Sequence, residues 1–304
     1  MTTEAAAEFE SHRPRLFSLA YRLLGSASEA EDAVQDTYLR WSAADREAIR
    51  TPVAWLTKVS TNLCLNRLTS ARARRERYVG PWLPEPVLTH GGETALGPLE
   101  TSLQRESVSL ALLTVMERLT PAERAVFVLR EAFEHSHREI AAVLGIDEAH
   151  SRQLHRRARE QLGRPRRQLP VDSGQRRKIV ELFIAAAVEG DLASLEQVLA
   201  ADVVAWSDGG GEVSAARRPV GGREKVIRYL LGLAARPEAA LVCFRVTEVN
   251  GEPGAVLLMG DALFGVIVPE ISDGRVGAVR TVLNPGKLGF ATAQLGQNLP
   301  PAHC

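Results

Sequence analysis

The chain has 304 residues, 45% of them hydrophobic, and Lys+Arg 37 balance Asp+Glu 37 to a formal net charge of zero. That length supports roughly two or three domains with their own cores, and a neutral total leaves only local clusters to mark a charged partner. No apolar run approaches the roughly 20 residues of a membrane span, and the start MTTEAAAEFE is acidic where a signal peptide is basic and then apolar. Cys64, Cys243 and Cys304 stand far apart without metal-ligand spacing. The expectation is a cytoplasmic protein with no membrane partner, no metal, no cofactor and no disulfide framework.

From about Phe9 to Tyr78 the pattern predicts three or four helices. Phe9, Leu16, Leu19, Ala20, Leu23 and Leu24 share one face that stops at Gly25, and Ser26 or Ser28 can cap the next helix. There Ala30, Ala33, Val34, Thr37, Tyr38 and Trp41 form the inward stripe, which turns Asp32, Gln35, Asp36 and Leu39 outward. A leucine exposed among carboxylates suits a basic protein partner better than bare solvent. A third helix opens at Pro52 and runs through Trp55, Leu56, Val59, Leu63 and Leu65 into an arginine cluster from Arg67 to Arg77. Asn62 and Asn66 sit beside those cations, a combination that suits unstacked single-stranded bases, with Trp55 read as core.

Composition then shifts to Gly and Pro in YVGPWLPEPV, an extended linker anchored by Trp82. Val108 to Leu119 and Pro121 to Arg130 each have one apolar face. After them, SHREIAAVLGIDEAHSRQLHRRAREQL (136–162) reads as two short helices hinged at Gly145, the second capped by Asp147. Its inward positions are Ser151, Leu154, Ala158 and Leu162, which leaves Arg152, His155, Arg156 and Arg159 on the opposite face. This is a helix-turn-helix pattern. Cations on that face neutralise phosphates, and side chains near the N-terminus, such as Glu148, Arg152 and Gln153, reach base edges in the major groove. Read alone, a solvated basic hairpin explains the same residues.

A second linker spans Gly163 to Gly174. Beyond it Ile179, Leu182, Phe183 and Ala186 share a helical face that stops at Gly190, and Asp191 caps a helix through Leu195, Val198 and Leu199. Strands are predicted at Val203 to Trp206, Ala240 to Val249, Ala255 to Pro269 and Arg275 to Leu283, with a helix around Val226 to Leu231. Asn250-Gly251 and Asp273-Gly274 mark tight hairpins. Helices followed by a curved antiparallel meander make an α+β cone whose open end could hold a small molecule or be filled by side chains. Asp208 followed by three glycines suits a close backbone approach and an acid that meets an arginine of a neighbouring domain, though a plain hairpin loop accounts for it too.

In order and content the chain resembles the extracytoplasmic-function (ECF) sigma factors of bacterial RNA polymerase, in the subgroup with a C-terminal SnoaL-like, NTF2-like domain. SLAYRLLGSASEAEDAVQDTYLRW is similar to their region two and TPVAWLTKVSTNLCLNRLTSARARRERY to the part that melts and reads the minus-ten element. The helix-turn-helix resembles region four, reader of the minus-thirty-five element. YVGPWLPEP, WSDGGG (206–211) and NPGKL (284–288) are signatures of the subgroup. The resemblance implies two all-α sigma domains followed by an α+β cone. The expected division is region two at 1–78, a linker at 79–103, region four at 104–164, a linker at 165–176, the cone at 177–292 and a tail at 293–304. It implies core RNA polymerase as partner, docked at Asp32, Gln35, Asp36 and Leu39. Promoter DNA would meet Asn62, Asn66, Arg67, Arg72, Arg74 and Arg75, and then Glu148, Arg152, Gln153, His155 and Arg156. The terminal domain would regulate in cis through Trp82, Pro84, Asp208, Gly209, Gly210, Gly211, Asn284, Pro285, Lys287 and Leu288. The chain departs from the family at Gly286, usually an acid, at Ser151, usually apolar, and at His137 and His150.

Two other readings compete. SnoaL-like relatives include cyclases and isomerases, but Asp208, Glu248 and Asp261 show no paired partner for acid–base work, and the terminal segment has no histidine before His303. A ligand-sensing repressor explains the helix-turn-helix and leaves the acidic docking face without a purpose.

Overall fold

The computed structural model describes residues 2–75, 77–90, 95–97, 105–163 and 173–295. Contacts divide the chain into two compact units: residues 1–77 with 91–165, and residues 78–90 with 166–304.

The first unit is helical. Helix α1 (Thr2–Leu24) carries Phe9, Leu16, Phe17, Leu19 and Leu23 fully inward, and Gly25, at φ 67°, ends it in the left-handed region that favours glycine. Ser26 then caps α2 (Ala27–Ala43) by accepting from the Glu29 amide at 3.1 Å. Trp41 closes the α1/α2 contact by donating its indole N–H to the Ala5 carbonyl at 3.0 Å, and Trp55 lies against it from α3 (Pro52–Arg75). Each large apolar side chain buried in this way contributes about 1.5–3 kcal/mol. Further along lie α4 (Leu110–Met116), α5 (Pro121–Glu131), α6 (His137–Leu144) and α7 (Glu148–Leu162). Helices α5 and α6 both start in capping boxes, Thr120 with Glu123 and Ser136 with Glu139. Gly145, at φ 69°, makes the hinge and Asp147 caps α7.

The two halves of this unit pack on each other. The Arg22 guanidinium of α1 donates to Ser107 Oγ at 3.0 Å and lies over the Phe133 ring, and Arg124 of α5 donates to the Arg22 carbonyl at 3.3 Å. Glu117 bridges Arg124, at 2.5 Å, and Arg75 of α3. Burial lowers Arg22 to about 10, which leaves it charged at neutral pH.

The second unit starts with α8 (Ser173–Glu189) and α9 (Leu192–Val198), followed by β1 (Leu199–Asp208), β2 (Val220–Gly221) and α10 (Arg223–Ala234). Strands β3 (Val242–Val249), β4 (Glu252–Met259), β5 (Ala262–Ser272) and β6 (Arg275–Val282) complete the sheet, and α11 (Gly289–Gln294) lies beyond it. The sheet order is β2-β1-β6-β5-β4-β3. Strands β3 to β6 form the antiparallel meander, while β1 joins β6 in parallel, so the sheet is mixed where an antiparallel one was expected. The single strand expected at Ala255 to Pro269 is two strands, because Gly260 at φ 60° and Asp261 make a turn inside that apolar run. Asn250-Gly251 and Asp273-Gly274 all have positive φ, as tight hairpins require. Val180, Phe183, Ile184, Leu195, Val226, Ile267 and Val279 fill the space between helices and sheet. Cys243 in β3 is disulfide-bonded, against the expectation of no pairing, and Cys64 is free and buried.

Part of the stretch expected as a linker at 79–103 packs against the sheet, while residues 91–94 and 98–103 lie outside the described residues. Residues 83–89 are buried within the second unit, where Leu88 bridges Val249 on the open edge of β3. Of the linker expected at 165–176, residues 165–172 lie outside the described residues, as does the tail from 296 onward.

Candidate nucleic-acid interface

Helix α7 presents Arg152, Gln153 and Arg156 to solvent, because Ser151, Leu154 and Ala158 take the inward positions and 3.6 residues per turn turns the others out. Glu148, half-buried in the first turn, holds Arg152 at 2.5 Å. The helix thus offers Arg152, Gln153 and Arg156 together on one exposed face. His155 is different. Its Nε2 lies 2.7 Å from Glu131 Oε1, only 14% of its side chain is exposed, and its ring stands beside Phe127 and His137. The structure sets it between helices, turned away from the face to which the sequence assigns it.

On α3, Asn66 is exposed and Asn62 half-buried. Arg67 is brought to a place the sequence did not foresee: its guanidinium bonds Asp36 at 2.7 Å and reaches Asp32 at 3.6 Å. Residues assigned to DNA and to a protein partner therefore meet across the α2/α3 groove. Gln35 and Leu39 of the same α2 face are exposed, Leu39 by 57%. Arg75 is turned into the unit, 15% exposed, on Glu117 and on the Leu24 carbonyl at 2.6 Å. Arg72 and Arg74 belong to α3, and their side chains lie outside the described part of the structure.

The second unit holds a buried polar clamp. Asp208, at the end of β1 and 0% exposed, accepts from Lys287 Nζ at 2.7 Å, the Leu83 amide at 2.8 Å, the Tyr78 hydroxyl at 2.5 Å and the Gly210 amide at 3.2 Å. Lys287 also donates to the Leu83 carbonyl at 2.6 Å, and its ammonium sits between the faces of Tyr78 and Trp82, 4.6 and 4.3 Å from the ring centroids. Asn284 donates to the Tyr78 hydroxyl at 2.7 Å. Burial, then Asp208, pushes the Tyr78 phenol well above its usual range, so it stays a donor. Such a pair keeps its strength only because every donor and acceptor around it is used.

The glycines explain themselves sterically. A Cβ on Gly210, at φ 63°, would stand 2.4 Å from Asn284 Nδ2, and one on Gly209 would stand 2.3 Å from the Val213 carbonyl oxygen. Pro84 and Leu288 are buried and Pro285 is exposed. The acid at 208 meets a lysine and the backbone of residue 83, where an arginine of another domain was expected.

Sequence reasoning missed the far end of this strap. Val87 donates to Asn250 Oδ1 at 2.9 Å and accepts from its amide at 2.8 Å. Thr89 donates to the Glu248 carbonyl at 2.9 Å, and the Gln294 amide grips both backbone groups of Leu88 at 2.9 and 3.0 Å. Asn250 was legible as a turn residue; nothing in the pattern announced its second use.

Comparison with known proteins agrees with this architecture. The family profile for Sigma-70 region 2 matches residues 9–74, and that for Sigma-70, region 4 matches residues 109–162. The chain belongs to the extracytoplasmic-function RNA polymerase sigma factors, which bind the core polymerase and direct initiation at promoters. Among individual proteins, it is 39% identical over 290 residues to the ECF RNA polymerase sigma factor SigJ of Mycobacterium tuberculosis, covering 92% of each chain. It is 33% identical to the probable ECF RNA polymerase sigma factor SigI of the same organism, over 96% of this chain and 97% of that one. The crystal structure of M. tuberculosis SigJ superposes with a TM-score of 0.74 at 36% identity, covering 94% of this chain and 98% of that one. The terminal α/β unit is thus part of the shared architecture.

Proposed function

We propose that this sigma factor docks on core polymerase through Asp32, Gln35, Asp36 and Leu39. It reads the minus-ten element with Asn62, Asn66 and the arginines of α3, and the minus-thirty-five element with Glu148, Arg152, Gln153 and Arg156. The terminal SnoaL-like unit governs activity by holding the segment that joins the two readers. Residues 78–90 connect region two to region four, and a strap gripped at both ends cannot extend freely between modules that must reach separate sites. As a partner of RNA polymerase it works where that enzyme does, in the cytoplasm; no helix among the described residues is long and apolar enough to cross a membrane.

The observation that carries the regulatory reading is the burial of Asp208 against Lys287 and Leu83. It also argues against acid–base chemistry at this carboxylate, since a fully buried acid held by an ammonium and three further donors has no free lone pair facing a substrate. The reading predicts that Asp208→Asn and, separately, Tyr78→Phe raise promoter-dependent transcription by the full chain with core polymerase several-fold. Rates equal to the parent in both variants would remove the strap from control.

A further inference from the structure

Two residues of the helix-turn-helix break the apolar pattern, and the structure pairs them with each other. Ser151 occupies an inward position of α7 and is 0% exposed, and its Oγ lies 3.0 Å from Nδ1 of His137, the first residue of α6. One turn further along α7, His155 Nε2 meets Glu131 Oε1 at 2.7 Å, which ties the same helix to the end of α5. The two imidazoles are 5.5 Å apart between centroids, and Phe127 of α5 flanks the second. The recognition helix is therefore attached to both of its supporting helices by directional polar contacts, in addition to Leu154 and Ala158.

That difference has a geometric meaning. Apolar packing is non-directional and tolerates a helix that rotates or slides slightly, whereas a hydrogen bond is confined to a narrow range of length and angle. Residues 151 and 155 lie four apart on one face, so two such bonds fix both the rotation of α7 about its axis and its position along it. Side chains that read base edges do so by paired hydrogen bonds whose own geometry is equally narrow. A helix displaced by a fraction of a residue presents them to the wrong edge.

We propose that His137, Ser151, His155 and Glu131 form a polar brace that positions the recognition helix and so selects which base pairs of the minus-thirty-five element Arg152 and Gln153 meet. The four are positioning residues, and none needs to touch DNA. The proposal rests on α7 being the minus-thirty-five reader, and the experiment separates the two claims.

The full chain with core polymerase would be presented with promoter duplexes randomised across the minus-thirty-five element, and base preference at each position read from the bound fraction. Arg152→Ala tests the reader: it should flatten preference at one or two positions. An unaltered profile for it overturns the reading of α7 and the brace with it. Ser151→Ala and Glu131→Ala test the brace: each should change preference at the positions read by Arg152 and Gln153 by about tenfold, within the range of a lost bidentate contact. Ser151→Thr keeps the hydroxyl and should restore the parental profile. If Ser151→Ala and Glu131→Ala lower the melting temperature but leave every base preference at the parental value, the four residues are core packing only and the brace is wrong.

Discussion

At the scale of single residues, His135 and His137 should make region four acid-sensitive. Burial is the first cause that lowers both; Arg15 adds to it at His135, and His155, Arg130 and Arg152 add to it at His137. A histidine whose folded value lies below its unfolded one, about 6.5, takes up protons more readily when unfolded. Its stabilising contribution is therefore complete above about pH 6.5 and is lost as pH falls below it. Glu131 moves in the same sense lower down, since its hydrogen bond from His155 depresses it below the ordinary glutamate value. The melting temperature of the full chain should decline between about pH 6.5 and 5, and His135→Gln with His137→Gln should flatten that decline. Identical slopes in parent and double variant would show that the acid sensitivity lies elsewhere. The sequence marked both Ser151 and His137 as departures, yet a one-dimensional pattern assigns each a face separately. Only the crossing of α6 and α7 shows that each satisfies the other.

Among elements, α2 and α3 carry the most consequential pairing. Helix periodicity was enough to place Asp32, Gln35, Asp36 and Leu39 outward, because an amphipathic stripe with Trp41 and Val34 inward leaves no alternative. It could not show that Arg67, thirty-one residues beyond Asp36, returns to the same groove, because that depends on the α2/α3 turn and crossing. The same limit explains the strap: Pro and Gly between Val79 and Pro98 suggest an extended linker, but extended backbone that pairs with a sheet edge and extended backbone in water have one composition. Changing Asp32 and Asp36 together to lysine should abolish binding to core polymerase while leaving the melting temperature within a few degrees. Exposed ion pairs such as those with Arg67 contribute only about 0.2–1 kcal/mol each. Parental polymerase affinity in a folded double variant would rule out this face as the dock.

For the whole molecule, the first unit as observed cannot read a promoter. A compact body of about 150 residues has a radius of gyration of about 15 Å. Elements named for positions about 25 base pairs apart are separated by about 85 Å of duplex, at about 3.4 Å per base pair. To span both elements the contact between its halves would have to open, and Glu117, shared by Arg75 and the 2% exposed Arg124, is where opposite charges join them. Glu117→Gln should favour the open form and raise affinity for core polymerase about threefold or more, measured by titration of labelled protein. An unchanged affinity would show that opening costs little. Time adds a further consequence for the strap. Its anchors at Asp208, Asn250, Lys287 and Gln294 leave the ribosome after both promoter readers are complete. At about 5–20 residues per second, the roughly 120 residues between region four and Lys287 take several seconds to synthesise. During that interval each newly made copy carries an unclamped strap, so bursts of synthesis would deliver sigma activity before the restraint is in place.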